Sequence, residues 1–386
     1  MQALEGIRVI EMGSHLPGEY CTMLLADLGA DVIRIDNPNP RRPEGGRQAF
    51  YALINRNKRS MGLDLKHPEA QEILHRLIPS VDVMVECNRP GVNRRLGADY
   101  ATLSAINPRL IYCAITGYGQ QGPYRMLPGH DVNYIALGGV LGLTGAAVGA
   151  PAVPGVNVAD LGGGTMYGLL GILTALVARE KTGRGQMVDV AMLDGVVAWL
   201  EAVHGSGFFS TGAAPGRGQW RLSGVYPFYG TYECADGEYI SLGVLEPWFW
   251  SNLCRALGRE DLIPHMDAEG PQRETVKEAL SQAFRTRSRN EWFAILRKAD
   301  VESAPVNSMA ETFADPQVRV RAMATEVEHP TLGRLRQPGL PVKLSDTPGA
   351  IRRPAPHSGQ DTEDILTRLG YDAAQVAALR AAHIIR

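Results

Sequence analysis

The fold is decided by residues 6–36, GIRVIEMGSHLPGEYCTMLLADLGADVIRID. At the ends of this stretch, Ile7–Met12 and Asp31–Asp36 are short apolar runs rich in β-branched residues, as is typical of buried strands. Between them, Glu19–Leu28 has a helical pattern that stops at Gly29, and glycine commonly ends a helix. The stretch therefore predicts a β-strand, an α-helix and a second strand parallel to the first.

The same alternation continues along the chain. It predicts further strands at Val81–Glu86, Leu110–Thr116 and Gln186–Met192. Helices are predicted at Pro68–Ile78, at Ala101–Ile106, in a long segment starting just after Asp160, and at Asp194–Val203. Strands that alternate with helices, with few hairpin signals, predict an α/β fold with a Rossmann-like parallel sheet.

Composition and pattern divide the chain into four parts. Residues 1–204 form the predicted large α/β domain, and residues 205–224, rich in Gly, Ser, Ala and Pro, form a linker. Residues 225–325 combine a hairpin that turns at Asp236-Gly237 with three helical patterns, which predicts a smaller α+β domain. The segment 326–386 is predicted to return and pack on the large domain.

Charge and cysteine content exclude several kinds of partner. The formal net charge is −2, so no broad positive surface favours nucleic acid or an anionic membrane, and an anionic ligand needs a local group of cations. The five cysteines form no C-x-x-C pair, which predicts reduced thiols, no metal site and a cytoplasmic location. The first residues lack the pattern of a signal peptide.

Two apolar stretches raise the question of a membrane. Val132–Ala159 carries no charge, but glycines and prolines interrupt it, whereas a spanning helix needs ~20 mostly apolar residues in sequence. This stretch is predicted to be buried, glycine-rich backbone close to a ligand. The helix after Asp160 is apolar almost all round, which predicts a buried central helix.

Three common motifs are absent from the sequence. The turn after the first strand, GSHLPG at residues 13–18, lacks the G-x-G-x-x-G spacing that binds a pyrophosphate at a helix N-terminus. Neither G-x-x-x-x-G-K-[ST] nor G-x-S-x-G occurs. The common dinucleotide, nucleoside triphosphate and serine hydrolase sites are therefore excluded.

Two polar residues flank the uncharged stretch. His130 lies in GHDVNY at residues 129–134, and Asp160 lies in NVADLGGG at residues 157–164. Each also has a purely structural interpretation, Asp160 as a helix cap and His130 as a hydrogen-bonded, half-buried histidine. The run Gly162–Gly164 costs roughly 1 kcal/mol per glycine relative to alanine, which predicts that some other group approaches this backbone closely. Amides at the start of the helix would stabilise a ligand oxygen that becomes an oxyanion.

On its longer motifs the chain resembles the family III CoA-transferase superfamily, and more closely the α-methylacyl-CoA racemase branch. The resemblance covers most of the chain up to about residue 255 and rests on LEGIRVIEMG, NKRSMGLDLK, NPRLIYCAITGYGQQGPY, GHDVNYIALGGVLGLTG, NVADLGGG, EKTGRGQMVDVAMLDG and PFYGTYECADGEYISLGVLEPWF. It implies an enzyme of lipid metabolism that is an interlocked homodimer. It also implies no separate cofactor, since coenzyme A enters as part of the substrate.

The resemblance implies roles for three residues. The aspartate shared by the superfamily corresponds to Asp160, which is a nucleophile in the transferases. The racemases add a histidine in a GHD-x-N-Y motif, matched by His130, and a glutamate in a G-x-x-E-P motif, matched by Glu246. Glu246 would orient His130 from the partner subunit. On local pattern alone, Glu246 also fits a carboxylate at a helix start before Pro247.

The chemistry of a racemase fits this pair. Inversion at the carbon beside a thioester needs one acid/base group on each face of a planar enolate, and a His and an Asp with differently tuned pKa values suit that task. His130 and Asp160 are therefore predicted to epimerise α-methyl-branched acyl-CoA thioesters by 1,1-proton transfer. Two alternatives stay open: a CoA-transferase with Asp160 as nucleophile, and a CoA-binding protein without catalysis.

Coenzyme A carries three phosphates, so cations are expected near it, among them Arg34 and Lys58. Where the relatives have an Arg-Pro pair after the second strand, this chain has Asn37-Pro38, and Arg41-Arg42 follow as possible replacements. With Arg34, the residues predicted to contact the acyl-CoA are Leu63, Asp64, Leu65, Lys66, Cys87, Asn88, Arg89, Arg95, Gly129, Asp131, Val132, Asn133 and Tyr134.

Overall fold

The chain forms two compact units in its structure, a computed structural model that describes residues 1–13, 15–38, 46–205, 207–213 and 216–386. The first unit comprises Met1–Gly138, Gly155–Trp199 and Pro316–Arg386, and the second comprises Gly139–Pro154 and Leu200–Asp315. The second unit thus includes a segment that the sequence boundaries assign to the large domain. Arg41-Arg42 and part of the predicted linker lie outside the described residues.

A six-stranded parallel sheet forms the centre of the first unit. Its strands are β1 (Arg8–Met12), β2 (Asp31–Asp36), β3 (Arg59–Gly62), β4 (Val83–Glu86), β5 (Ile111–Thr116) and β6 (Met187–Ala191). They are ordered β3-β2-β1-β4-β5-β6, the doubly wound order of Rossmann-like folds. In the register, Ile10 of β1 pairs with Ile33 of β2 and with Met84 of β4. The α/β class and the parallel sheet are therefore confirmed.

Two small antiparallel sheets accompany the parallel one. In the second unit, β7 (Tyr229–Glu233), β8 (Tyr239–Gly243) and β9 (Ser303–Pro305) are ordered β7-β8-β9. In the first unit, β10 (Ala324–His329) and β11 (Gly333–Pro338) form a hairpin. The second unit packs helices against its sheet around Phe228, Trp250 and Phe284, as an α+β domain does.

The helices of the first unit precede and follow the strands of its sheet. They are α1 (Leu16–Asp27), α2 (Gly46–Ile54), α3 (Pro68–Leu77), α4 (Val92–Arg95), α5 (Tyr100–Ile106), α6 (Asp131–Leu137), α8 (Tyr167–Thr182), most of α9 (Met192–His204), α15 (Pro316–Val320), α16 (Thr362–Arg368) and α17 (Ala373–Ala381). The second unit contains α7 (Val140–Leu143), α10 (Phe208–Thr211), α11 (Pro247–Ala256), α12 (Gly270–Phe284), α13 (Arg289–Lys298) and α14 (Met309–Ala314). A wide-turn π-helix, Val158–Met166, runs directly into α8.

Helices cover both faces of the parallel sheet. On one face, Ile10, Ile33 and Met84 pack against α3 and α5 and against the C-terminal helices α16 and α17. Ile384 and Ile385 join the same core, and the amide of Asp64 donates to the carbonyl of Ile384 at 2.9 Å. On the other face lie α1 and α8, where Gly168 of α8 leaves room for the side chain of Ile115.

Strand β3 was not predicted. It has only four residues, and its polar side chains are used inside the fold: Ser60 Oγ donates to Asp36 Oδ2 at 2.6 Å, and Arg59 Nε donates to Asp31 Oδ1 at 2.9 Å. A strand so short and so polar shows no clear apolar pattern in sequence, because its partners are brought in by the rest of the fold.

The prediction of a fully buried helix after Asp160 was wrong. The helical segment begins at Val158, before Asp160, and only 33% of its most apolar window is buried in the single chain. Leu170 is 58% exposed and Val177 is 62% exposed. The segment is long and apolar enough to cross a bilayer on length and composition alone, a test that core helices of soluble proteins also pass. A helix that is apolar on almost every side is therefore not necessarily buried within a single chain.

The prediction for the uncharged stretch was also wrong in its centre. The side chains of Val148, Val153 and Val156 are exposed, and Val148 is 88% exposed. The buried residues lie towards its two ends, at Tyr134–Ile135 and Gly138 and at Ala159. The glycines and prolines of this stretch predict buried backbone beside a ligand. In the structure they form a surface loop, which is where these residue types are more commonly found.

Candidate active site

A cavity of about 810 Å³ lies in the first unit at the carboxyl ends of the parallel strands. Its walls come from the residues after β1, β4, β5 and β6, and from the start of α6. The order of the sheet reverses between β1 and β4, and this is the position where ligands bind in doubly wound folds. The cavity is lined by His15–Pro17, Cys87–Pro90, Val92, Ile115–Tyr118, Arg125, Leu127–His130, Asn133, Tyr134, Asp160 and Met192.

His130 is held at the edge of this cavity by its backbone. It is the N-cap of α6, and its amide donates to Oδ1 of Asn133 at 3.0 Å. The hydroxyl of Tyr134 donates to the carbonyl of Gly129 at 2.6 Å, which fixes the preceding residue. A Cβ at Gly129 would lie 2.7 Å from the Tyr134 ring, so this position requires glycine. The imidazole itself is exposed and free to meet a ligand.

Asp131 links the start of α6 to the turn that carries Asp160. Its buried carboxylate accepts the amide of Ala159 at 2.6 Å and the amide of Asp160 at 2.9 Å through Oδ1. Asp131 was predicted to contact the substrate, but its side chain instead positions the catalytic candidate. Amides at the start of this helix were expected to bind an oxyanion, but those of Ala159 and Asp160 donate to Asp131 and that of Leu161 donates to the carbonyl of Asn157 at 3.1 Å, so that expectation was wrong.

Asp160 is half-buried in the cavity wall, and Nδ2 of Asn157 donates to its Oδ2 at 3.2 Å. Burial raises the pKa of Asp160 above its ordinary value, and the negative charge of Asp131 raises it further. The hydrogen bond from Asn157 and the imidazoles of His130 and His15 act in the opposite direction. A carboxylate with a raised pKa is a stronger base and is more readily protonated, as a group that both accepts and returns a proton must be.

The glycine run after Asp160 serves helix packing. A Cβ at Gly162 would overlap the ring of Trp199, and a Cβ at Gly163 would lie 2.5 Å from the carbonyl oxygen of Met192. A Cβ at Gly164 would lie 2.9 Å from Met192 Cγ. Trp199 and Met192 belong to α9, so the glycines let two helices approach closely. As the stability cost of the glycines predicts, another group approaches this backbone closely. That group is a neighbouring helix of the protein and not a ligand.

The predicted contact of Arg34 with coenzyme A was wrong. Arg34 is buried, and its guanidinium pairs with Glu11 at 3.0 Å, with Asp36 at 2.7 Å and with Glu19. Lys58 is fully buried in the same cluster and donates to Glu11 Oε2 at 2.7 Å. Three carboxylates already neutralise these two cations, so neither is available to a phosphate.

The cavity brings together eight of the predicted site residues. They are Cys87, Asn88, Arg89, Gly129, His130, Asn133, Tyr134 and Asp160. Val132, Leu63–Lys66 and Arg95 do not line it. Leu63 and Leu65 are buried in the core, whereas Lys66 and Arg95 are exposed, so these two predicted cations are accessible to a ligand that extends beyond the cavity.

Glu246 lies in the second unit, where it precedes the first residue of α11. Its Oε2 is buried and has no hydrogen-bond partner among the described residues. The side chain of Glu246 also lies within hydrogen-bond reach of the Glu302 carboxyl group, whose pKa is raised first by burial and further by the negative charge of Glu246.

Sequence reasoning missed His15 and Arg125, both of which line the cavity. His15 follows the first strand of the βαβ unit, a position that points to a ligand site in any doubly wound fold. The sequence of that turn shows only the absence of a glycine motif, which does not by itself mark His15. Across the described ranges, no group of three or more His, Cys, Asp or Glu side chains could hold a metal ion.

Glu86 is the last residue of β4 and immediately precedes Cys87–Pro90, which line the cavity. It is buried, and its Oε2 accepts the amide of Asn88 at 2.6 Å. Burial raises the pKa of Glu86 to about 7. The carboxyl group therefore changes charge near neutral pH while it holds the turn that lines the cavity.

Glu86→Gln is expected to flatten the dependence of stability on pH. The pKa of Glu86 rises on folding from 4.5 to about 7, so the folded state binds more protons in this window and the free energy of unfolding falls as pH rises through it. The shift corresponds to about 3 kcal/mol, present below pH 4.5 and lost above pH 7. Urea unfolding from pH 5 to pH 8 measures it, with the exposed Glu72→Gln as control. Equal slopes for Glu86→Gln and the unaltered protein would refute the assignment.

Comparison with known proteins identifies the family of this chain. The sequence profile of CoA-transferase family III matches residues 4–362. The chain is 35% identical to an α-methylacyl-CoA racemase of Homo sapiens, over 99% of this chain and 97% of the relative. It is 31% identical to a succinyl-CoA:glutarate CoA-transferase of Homo sapiens, over 100% and 90% respectively.

Among solved structures, a CAIB/BAIF family protein from Brucella suis superposes with a TM-score of 0.82 at 30% identity, over 95% of this chain and 99% of that one. The racemase and the transferase are thus about equally similar in sequence, and both share the whole length. The chain is an enzyme that belongs to CoA-transferase family III.

Proposed function

We propose that this enzyme epimerises α-methyl-branched acyl-CoA thioesters by 1,1-proton transfer through an enolate. The observation that carries the proposal is that an exposed imidazole, His130, and a half-buried carboxylate, Asp160, line one cavity. A single base can remove the α-proton but returns it to the same face. Inversion needs a second group on the other face, and this pair supplies it.

The two groups exchange roles with the direction of the reaction. In one direction the Asp160 carboxylate takes the α-proton and the His130 imidazolium gives a proton to the opposite face. In the other direction neutral His130 takes the proton and protonated Asp160 gives one. The raised pKa of Asp160 supports this exchange, because a carboxyl group of ordinary acidity would rarely be protonated near neutral pH.

The enolate oxygen needs hydrogen-bond donors, and the start of α6 is the place we propose for them. The first amides of a helix have no intrahelical acceptor. The amide of His130 donates to Asn133, while those of Asp131 and Val132 have no acceptor among the described residues. Asp131 and Val132 do not themselves line the cavity, but they directly follow His130, so a thioester oxygen beside the imidazole would come within reach of their amides.

We propose that coenzyme A is held partly by Arg89, whose exposed guanidinium lines the cavity and has no carboxylate partner within the described residues. Lys66 and Arg95 are the accessible cations proposed for the rest of the coenzyme. No separate cofactor is proposed. We propose a cytoplasmic enzyme of lipid metabolism; with a net charge of −2 it has no broad positive surface that would favour nucleic acid or an anionic membrane.

We further propose a homodimer in which Glu246 of one subunit accepts a hydrogen bond from His130 of the other. The unpartnered Oε2 of Glu246 supports this arrangement, because a protonated imidazole is a suitable donor for it. The exposed apolar side chains of Met166, Leu170 and Val177 on the long helix also support a partner that covers them.

A CoA-transferase is the second candidate, and similarity to a succinyl-CoA:glutarate CoA-transferase favours it. In that reaction the Asp160 carboxylate would attack the thioester carbonyl, displace the CoA thiolate and leave an acyl group on the protein. His130 has no evident task in such a mechanism. A covalent intermediate on Asp160 therefore distinguishes the two reactions.

The experiment incubates the enzyme in D2O with each configuration of a 2-methylacyl-CoA. The proposal predicts inversion in both directions, one deuterium at the α-carbon of the product, and an unchanged mass of the intact protein. A transferase would instead increase the protein mass by an acyl or CoA group and pass CoA to an added carboxylate. Absence of both inversion and α-exchange for every branched thioester tried would refute the racemase.

A further inference from the structure

A second histidine, His15, lines the same cavity as His130 and Asp160. We propose that His15 exchanges the proton of Asp160 with bulk water, during the lifetime of the enolate as well as between turnovers. It is a positioning residue, because it acts through Asp160 and not on the substrate. The inference rests on the proposed racemase reaction, in which Asp160 must change its protonation state.

The start of α1, which directly follows His15, packs against the helix that carries Asp160. His15 precedes α1, and Oγ1 of Thr165 donates to the carbonyl of Pro17 at 2.8 Å. A Cβ at Gly164 would lie 3.1 Å from Pro17 Cβ, so the two segments are in close contact. The start of α1 and the helix of Asp160 therefore form one wall of the cavity.

Helix capping does not explain a histidine at this position. His15 is the N-cap of α1, with φ −122° and ψ 139°, but its side chain makes no capping hydrogen bond. Ser, Thr, Asp and Asn are the residues that stabilise an N-cap. The ring is exposed and has no hydrogen-bond partner among the described residues, so it can turn between the cavity and solvent.

The reaction needs a group that carries a proton between Asp160 and bulk water. A turnover in which Asp160 takes the α-proton leaves it protonated and leaves His130 neutral, and both must be reset. His130 is exposed and exchanges with water directly, whereas Asp160 is half-buried. In the proposed step the O–H bond of Asp160 breaks and an N–H bond forms on neutral His15. The resulting imidazolium then gives its proton to water, and imidazole is the side chain best suited to this near neutral pH.

The electrostatics of the cavity agree with this placement. Both residues line the cavity, and while burial raises the pKa of Asp160 most, the charge of His15 acts weakly in the opposite direction. A protonated His15 also favours the Asp160 carboxylate, the form that must be restored before the next abstraction.

The test compares His15→Gln with His67→Gln in D2O. His67 is also an exposed histidine at an N-cap, without a capping bond and with proline in the first turn of the helix, but it does not line the cavity. For each starting configuration, the deuterium in the recovered substrate is divided by that in the inverted product. This ratio reports how fast the abstracting group exchanges its proton with solvent while the enolate persists.

His15→Gln is expected to lower this ratio several-fold for the configuration that Asp160 deprotonates and to leave the other unchanged, and His67→Gln is expected to leave both unchanged. Asparagine at position 15, a good N-cap, is a second variant that should behave like glutamine. Unchanged ratios in both variants, or an equal fall for both configurations, would overturn the role of His15. If the unaltered enzyme shows no inversion, it is the proposed function that fails.

Discussion

His130→Gln should lower the rate of inversion by about 10²–10⁴-fold, the usual contribution of a general acid or base. Glutamine retains the size and polarity of the side chain but cannot take or give a proton at neutral pH. His130 is exposed and its backbone position depends on the Asn133 side chain, so folding should be unaffected. Steady-state rates with separated 2-methylacyl-CoA enantiomers measure the effect.

His67→Gln is the matched control for this variant, because His67 is likewise an exposed histidine at a helix N-cap. It should retain the full rate of inversion. If His130→Gln also keeps that rate, the imidazole is not an acid/base group. If His130→Gln instead forms a covalent adduct on Asp160 and transfers CoA, the enzyme is a transferase.

Lys58→Met should destabilise the first unit by about 3–5 kcal/mol, the cost of removing one partner of a buried ion pair. Lys58 is fully buried, and its ammonium donates to Glu11 Oε2 at 2.7 Å and to Asn55 Oδ1 at 2.9 Å. Without it, only Arg34 would face the carboxylates of Glu11, Glu19 and Asp36. Urea unfolding followed by circular dichroism measures the change.

Lys343→Met is the control, since Lys343 belongs to the same unit but is exposed. It should change the free energy of unfolding by less than about 0.5 kcal/mol. Combining Lys58→Met with Glu11→Leu should recover part of the loss, because removing both charges leaves fewer buried charges unpaired. A Lys58→Met protein as stable as the control would show that the cluster contributes little.

The parallel sheet could be predicted because its strands follow local rules. The run Asp31–Asp36 is apolar and β-branched, and the structure gives β2 the same bounds. Rossmann-like order follows from the right-handed connection of such units. Strand β3 could not be predicted, because Arg59 and Ser60 are strand residues only by virtue of partners on β2. These side-chain hydrogen bonds form only when β2 and β3 lie side by side in the assembled sheet.

The candidate site could also be predicted only in part, because some of its residues stand out in the local sequence and others depend on packing. His130 and Asp160 stand out in sequence as polar residues at the ends of an uncharged stretch, and the structure places both at one cavity. The burial of Arg34 could not be foreseen, since its partner Glu11 is 23 positions away along the chain. The function of the glycines after Asp160 depended on Trp199, which only the packing of two helices brings near.

The account's central claim is that two side chains reach the α-carbon from opposite faces. The most direct measurement is α-proton exchange in D2O by His130→Gln and Asp160→Asn, each with both configurations of the thioester. We expect neither variant to invert the substrate, and each to exchange the α-proton of one configuration only, the opposite one in the two cases. Exchange of the same configuration by both variants, or sustained inversion by either, would contradict the claim.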